Sequence, residues 1–136
     1  MTNDTEMKGV LAVRRQVFVE EQGISEVAEL DGDEPQTLYM VVKDRQRVIG
    51  TARIRLLAGR QAKLERMAVL KPFRGAGIGK TIVSFLDDEL KKMDVQRIAL
   101  HAQYTVRGFY TSCGFEAKGL PFSEAGMKHI RMEKEL

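Results

Sequence analysis

Cysteine is nearly absent: Cys113 is the only one in 136 residues. That excludes an intrachain disulfide and any cysteine-cluster metal site, and no metal is expected. No apolar run approaches the length needed to span a bilayer, so no membrane partner is expected. The N-terminal MTNDTEMKGV lacks the charged and apolar regions of a secretion signal, which makes the cytoplasm the expected compartment. Tryptophan is missing, and arginines and lysines are interleaved with acids rather than gathered in a stripe. A net charge of +3 without an aromatic platform therefore predicts no nucleic-acid partner. Repeats and low-complexity linkers are absent too. The length suits one domain over residues 1–136, large enough for its own core.

The apolar pattern gives an order of elements. Residues 4–22 read as a helix with Asp4 as a candidate cap and an apolar stripe through Met7, Val10, Leu11, Val17 and Phe18. Residues 23–36 read as an acidic loop. Strands are expected at residues 38–43, 48–57 and 63–70, with turns at residues 44–47 and at Gly59-Arg60. A helix follows over residues 77–93, with Ile78, Ile82, Leu86, Leu90 and Met93 on one side. Residues 97–102 read as a short buried strand and residues 105–112 as a short helix ended by Gly114. Residues 115–118 and 128–134 read as closing strands. The order predicts a mixed α/β fold with an antiparallel start and a parallel pair around the central helix.

The strongest local signal is RGAGIGK at residues 74–80, between a strand and a helix. Glycines let backbone approach an anion, and the helix start supplies free N–H groups and the positive end of its dipole. Arg74 and Lys80 add fixed charge. A P-loop requires four residues between its glycines, whereas Gly75 and Gly79 enclose three. A dinucleotide fingerprint requires G-x-G-x-x-G, and Gly75, Gly77 and Gly79 give G-x-G-x-G. What fits is R-x-x-G-x-G at Arg74, Gly77 and Gly79.

That pattern resembles the pyrophosphate loop of GNAT-type acyl-CoA N-acyltransferases. QYTVRGFYTSCGF at residues 103–115 resembles a second GNAT segment: Gln103, then Tyr110, then Gly114-Phe115. The family often has asparagine and alanine where this chain has Gln103 and Val106. VRRQVFVEEQGI at residues 13–24, the acids Glu29, Asp31 and Asp33, and AGMKH at residues 125–129 resemble a bacterial branch called YjcF-like or ElaA-like. That branch usually carries a histidine near the position of Tyr39. The resemblance covers most of residues 10–135. It implies a central mixed sheet flanked by helices. It also implies a strand before the first helix, which here is missing or shortened, and an edge so exposed favours a homodimer.

The resemblance implies acetyl-CoA as acyl donor and a small primary amine as acceptor. Donor contacts would come from Met67, Ala68 and Val69, from Arg74, Gly75, Ala76, Gly77, Ile78, Gly79 and Lys80, and from Gln103, Phe109 and Tyr110. A backbone N–H near Met67 or Ala68 would hold the thioester oxygen, and core packing is the other use of Met67 and Val69. Tyr110 would donate to the leaving thiolate. Glu65 is the first candidate base, with an ion pair to Arg53 or Arg66 as its other use. His101 is the second, and His129 competes with it. Cys113 has no evident activating neighbour, so direct transfer in a ternary complex is expected over an acyl-cysteine. Arg14, Glu20, Glu21 and the acids of residues 29–33 would lie on the acceptor side, where Arg14 or Arg53 could hold an acceptor's anionic group. The competing readings are an acyl-CoA-binding or sensing module without turnover and a nucleotide-phosphate binder.

Overall fold

The computed structural model describes residues 4–24 and 37–136. Helix α1 (Asp4–Arg14) continues directly into a π-helical turn (Arg15–Glu21). Then come β1 (Thr37–Asp44), β2 (Arg47–Leu57) and β3 (Gln61–Val69). Helix α2 (Ile78–Lys92), β4 (Arg97–Gln103) and the short helix α3 (Arg107–Ser112) follow, and the hairpin of β5 (Glu116–Glu124) and β6 (Met127–Glu135) closes the chain. The strands form one six-stranded sheet in the order β1-β2-β3-β4-β6-β5. Only β3 and β4 run parallel, because α2 carries the chain back between them. This is the mixed α/β architecture expected from the sequence.

Side chains alternate across the sheet, so each face has its own chemistry. One face carries Ala52, Ile54, Ala62, Leu64, Ile98, Leu100, Ala102, Ile130 and Met132, all buried. Against it α2 packs Ile82, Val83, Leu86 and Leu90, the i, i+4 stripe read from the sequence. The other face carries Arg53 opposite Glu65, Arg55 opposite Lys63, and His101 opposite Arg131. A second apolar cluster joins Val13, Val17 and Phe18 to Val48, Ile49, Ala68 and Leu70, fixing α1 and the π-turn over the β2–β3 end. Gly9 permits this docking, since a Cβ there would lie 2.6 Å from a Val48 methyl.

Two features depart from the expected pattern. The first helix changes to π geometry after Arg14, which turns its last residues, Glu21 and Gln22, toward the loop before α2 and the end of β4. β5 runs on to Glu124 rather than stopping at Lys118; its register with β6 shifts between Lys118 and Phe122. β1 lies at the sheet edge, and residues 1–3, ahead of α1, lie outside the described residues. The expected acidic loop, with Glu29, Asp31 and Asp33, lies outside the described residues, as does the capping role of the Asp4 side chain. Among the described residues no helix is long and apolar enough to cross a membrane.

Candidate active site

β3 and β4 pair only from Gln61 and Arg97 to Leu64 and Leu100. Beyond that point they part, and the backbone of residues 65–69 that faces β4 has no ladder partner there. A bulge drives the separation. Thr51 pairs with Ala68 and Arg53 with Glu65, so Ala52 faces both Arg66 and Met67. Arg66 takes φ 51°, a left-handed conformation rare for a residue with a side chain. Bulges bend a strand and re-aim its side chains, and such strain collects at functional sites.

The parting strands enclose a cavity of about 800 Å³. Met67, Ala68 and Val69 line it from β3, His101, Ala102 and Gln103 from β4, and Phe109 and Tyr110 from α3. A second cavity of about 410 Å³ lies against the glycine-rich loop, lined by Gly75, Gly77, Ile78, Gly79 and Lys80. Val69, Arg74 and Phe109 line both. The two chemistries read from distant parts of the sequence thus meet in one cleft. Ala76 is exposed in the loop.

The loop is built as its glycines require. Gly75 and Gly77 have φ of 85° and 79°, and Gly77 is the residue from which α2 starts. The first i→i−4 bond of α2 runs from Thr81 N to Gly77 O at 3.0 Å, so the amides of Ile78, Gly79 and Lys80 precede the helical ladder. Gly79 serves a different need: a Cβ there would lie 2.9 Å from Phe109 Cζ. Phe109 packs its ring against the loop and, edge-on at 5.1 Å, against Tyr110. Tyr110 also meets Phe115 edge-on at 5.8 Å. Burial, with a smaller contribution from Cys113, pushes the Tyr110 phenol up to about 12.

Glu65 and His101 both line the larger cavity but differ in their partners. Glu65 Oε1 accepts from Arg55 Nε at 2.6 Å, and Oε2 lies 3.5 Å from Arg53 and 3.9 Å from Lys63. The ion pair considered for Glu65 is therefore present, with Arg55 as its nearest member. His101 contacts Glu124 through Nδ1 at 2.9 Å. His129, buried on β6, donates from Nδ1 to the Met127 carbonyl at 2.9 Å and places Nε2 3.8 Å from Glu124. Burial pushes the Glu124 carboxyl up, but the His101 hydrogen bond and the charges of His101, His129 and Lys63 outweigh it and hold it below its ordinary value. Glu124 was not legible as a site residue, since it lies on the unread half of β5. Arg14 is buried, with Nη1 3.5 Å from the Tyr39 hydroxyl, and Tyr39 faces Arg53 across the β1–β2 pair. Among the described residues no cluster of His, Cys, Asp and Glu could hold a metal ion.

A mixed sheet that opens between its parallel strands, with a glycine-rich helix start beside the opening, defines an acyl-CoA N-acyltransferase fold. The family profile of the acetyltransferase (GNAT) domain matches residues 2–136. The chain belongs to the GNAT acetyltransferases. It is 37% identical to the uncharacterised protein YyaT of Bacillus subtilis over 139 aligned residues, covering 100% of this chain and 93% of YyaT. It is 33% identical to the uncharacterised N-acetyltransferase YjcF of the same organism, covering 98% and 95%. A solved structure from Lactobacillus plantarum, assigned as an N-acetyltransferase, superposes with TM-score 0.92 at 28% identity, covering 99% and 94%. Escherichia coli ElaA shares the fold, with TM-score 0.82 at 24% identity over 98% and 93%. So does an aminoglycoside 6′-N-acetyltransferase complexed with coenzyme A, with TM-score 0.79 at 16% identity over 98% and 92%.

Proposed function

We propose that residues 1–136 work as one domain that transfers an acetyl group from acetyl-CoA to a primary amine, by direct attack in a ternary complex. The observation that carries this reading is the opening of β3 from β4 beyond Leu64 and Leu100, with the loop of residues 74–80 and Tyr110 on the same cleft. The coenzyme A in the aminoglycoside acetyltransferase of the same fold supports the choice of donor.

The donor's pyrophosphate would lie on the loop, against the free amides at the start of α2 and the charge of Lys80. Its pantetheine arm would run along the unpaired backbone of Met67, Ala68 and Val69. The amine nitrogen attacks the thioester carbon, forming a C–N bond and moving an electron pair onto oxygen. A backbone N–H near Met67 or Ala68 stabilises that oxyanion. Collapse breaks the C–S bond and releases the thiolate of coenzyme A.

Burial raises the Tyr110 phenol, and the same cleft would disfavour a free thiolate as well, so Tyr110 is assigned the part of a hydrogen-bond donor to the leaving sulfur. The partners of the two candidate bases favour His101. Both Glu65 oxygens face cations, while His101 uses Nδ1 on Glu124 and retains Nε2 to take the proton lost by the amine.

The proposed setting is the cytoplasm, where a lone Cys113 stays reduced. The position of β1 at the sheet edge supports pairing with a second copy, which an exclusively monomeric species over a wide concentration range would remove. The function is tested by release of free thiol from acetyl-CoA across a panel of amines. Amine-dependent release, reduced by about 10²-fold in Tyr110→Phe with donor affinity preserved, is the expected result. Donor binding without amine-dependent release across the panel would favour a sensing module instead.

A further inference from the structure

β4 and the β5–β6 hairpin bring His101, Glu124 and His129 to one place on the cleft wall. The carboxylate of Glu124 can only accept, so the 2.9 Å contact puts a proton on Nδ1 of His101. A neutral His101 so bonded carries its lone pair on Nε2. The Met127 carbonyl likewise can only accept, so His129 carries its own proton on Nδ1. Phe122 contacts both rings, edge-on to His101 at 5.0 Å and stacked on His129 at 6.1 Å. The imidazole planes are thus fixed by packing as well as by hydrogen bonds.

The backbone that delivers Glu124 is equally defined. Glu124 pairs with Met127 across a two-residue turn, and Ala125 and Gly126 have φ of 52° and 74°. Positive φ at both central residues makes the tight hairpin turn whose twist matches the strands. Ala125 pays a steric cost to be there. Upstream, Gly119 has φ of 78° where β5 slips against β6 by more residues than its partner, and pairing resumes at Phe122 opposite His129. The register therefore sets Phe122 and Glu124 together against the histidines.

We propose that Glu124 is a positioning residue for acyl transfer: it holds the Nδ1 proton of His101 and so keeps Nε2 as the acceptor for the proton of the incoming amine. The proposal rests on the acyl-transfer reading above. The proton moves from the amine nitrogen to His101 Nε2 as the C–N bond forms, giving an imidazolium whose Nδ1–H remains bonded to the Glu124 carboxylate. The charges acting on Glu124 are those of His101, His129 and Lys63, and Arg131 faces His101 across the β4–β6 pair, while Glu65, Arg53, Arg55 and Arg66 line the same cavity. A plain surface ion pair would account for the same contact, because the Glu124 side chain is 43% exposed, and it would bias the tautomer equally, but its loss would leave the turnover of the enzyme unmoved.

The test combines nitrogen-15 NMR of the imidazoles with steady-state kinetics on Glu124→Ala, an exposed position where truncation leaves the core intact. In the parent, His101 is expected to show a protonated Nδ1 and a bare Nε2 at pH 8. In Glu124→Ala it should change to a mixture rich in the Nε2–H form, while His129 keeps its tautomer through Met127. Turnover should fall by about tenfold or more with the acetyl-CoA dissociation constant within twofold. An Nε2–H tautomer of His101 in the parent, an unchanged tautomer in the variant, or equal turnover in an active parent would each overturn the proposal alone. A parent that binds acetyl-CoA but turns over no amine would instead overturn the acyl-transfer reading, and the base role of His101 with it.

Discussion

Glu21 grips the guanidinium of Arg74 through two hydrogen bonds of 3.0 Å, and Arg74 Nε donates to the Val69 carbonyl at 2.9 Å. The end of the π-turn is thereby tied to the glycine-rich loop and to the opened strand. Gln103 Nε2 donates to Gln22 Oε1 at 2.7 Å and makes a second tie, to the end of β4. Both ties end on residues that line the cleft. A pyrophosphate arriving at the loop would compete with Glu21 for Arg74.

Glu21→Gln should therefore bind acetyl-CoA more tightly. The pair is exposed, at 41% and 30%, and such pairs contribute up to about 1 kcal/mol, or roughly a fivefold gain in affinity. Calorimetry on both proteins checks this. Equal affinity would show that Arg74 serves the fold and not the donor.

Gly79→Ala should damage the site from behind. The new methyl would meet Phe109 Cζ at 2.9 Å. The ring must move, and Tyr110 follows it in the chain. Overpacking of this kind costs about 1–3 kcal/mol. Thermal unfolding should register the loss, and turnover should fall by more than donor affinity. Full stability with full turnover would mean that the ring yields freely and does not set the position of Tyr110.

Tyr110 also gives a pH signature. Its phenol is raised from 10.0 to about 12 in the folded protein, so the folded state holds a proton that the unfolded chain has lost between those values. The corresponding stability is complete below about pH 10 and is lost as pH rises toward 12, roughly 3 kcal/mol in all. The difference in phenolate absorbance between the parent and Tyr110→Phe should show a step near pH 12. A step near pH 10 would contradict the burial of this hydroxyl. Activity at pH 7–10 should show no loss from this group.

Ala125→Asn should stabilise the protein. Asparagine tolerates the left-handed conformation that Ala125 adopts, φ 52°, and Asn-Gly is the favoured pair for this turn. A gain of about 0.5–1 kcal/mol is expected from relief of that cost, read as a rise in the denaturation midpoint. A loss would show that the turn depends on the alanine methyl.

The sequence revealed most of the frame because the frame rests on periodicity and glycine. The stripe from Ile82 to Leu90 and the alternating run of residues 63–70 marked their elements directly, and the loop of residues 74–80 announced its own conformation. The opening of the sheet was invisible in the residues themselves, because Arg66 adopts a positive φ without being glycine. The π-turn was hidden for a similar reason: Arg15 to Glu21 carry no composition that separates it from an α-helix. β5 was cut short at Lys118 because Gly119 and Pro121 look like loop residues. They instead accompany a register shift, after which the strand resumes at Phe122. That is why Glu124 went unread while both of its histidine neighbours were named. Glu65 shows the converse limit, since its two potential uses depend on the placement of Arg53 and Arg55 across the strand pair and of Lys63 two residues back on its own strand.

The most direct measurement is calorimetric titration with acetyl-CoA of the parent and of Gly77→Glu, with ATP–magnesium as the comparison ligand. Gly77 begins α2 at φ 79° with open space beside it, so a carboxylate there would stand where the pyrophosphate is placed. The expected result is saturable binding of acetyl-CoA by the parent, loss of at least about tenfold in affinity in folded Gly77→Glu, and no preference for ATP–magnesium. Folded parent that binds no acetyl-CoA, or equal binding by the two proteins, would contradict the placement of the donor in the cleft between β3 and β4.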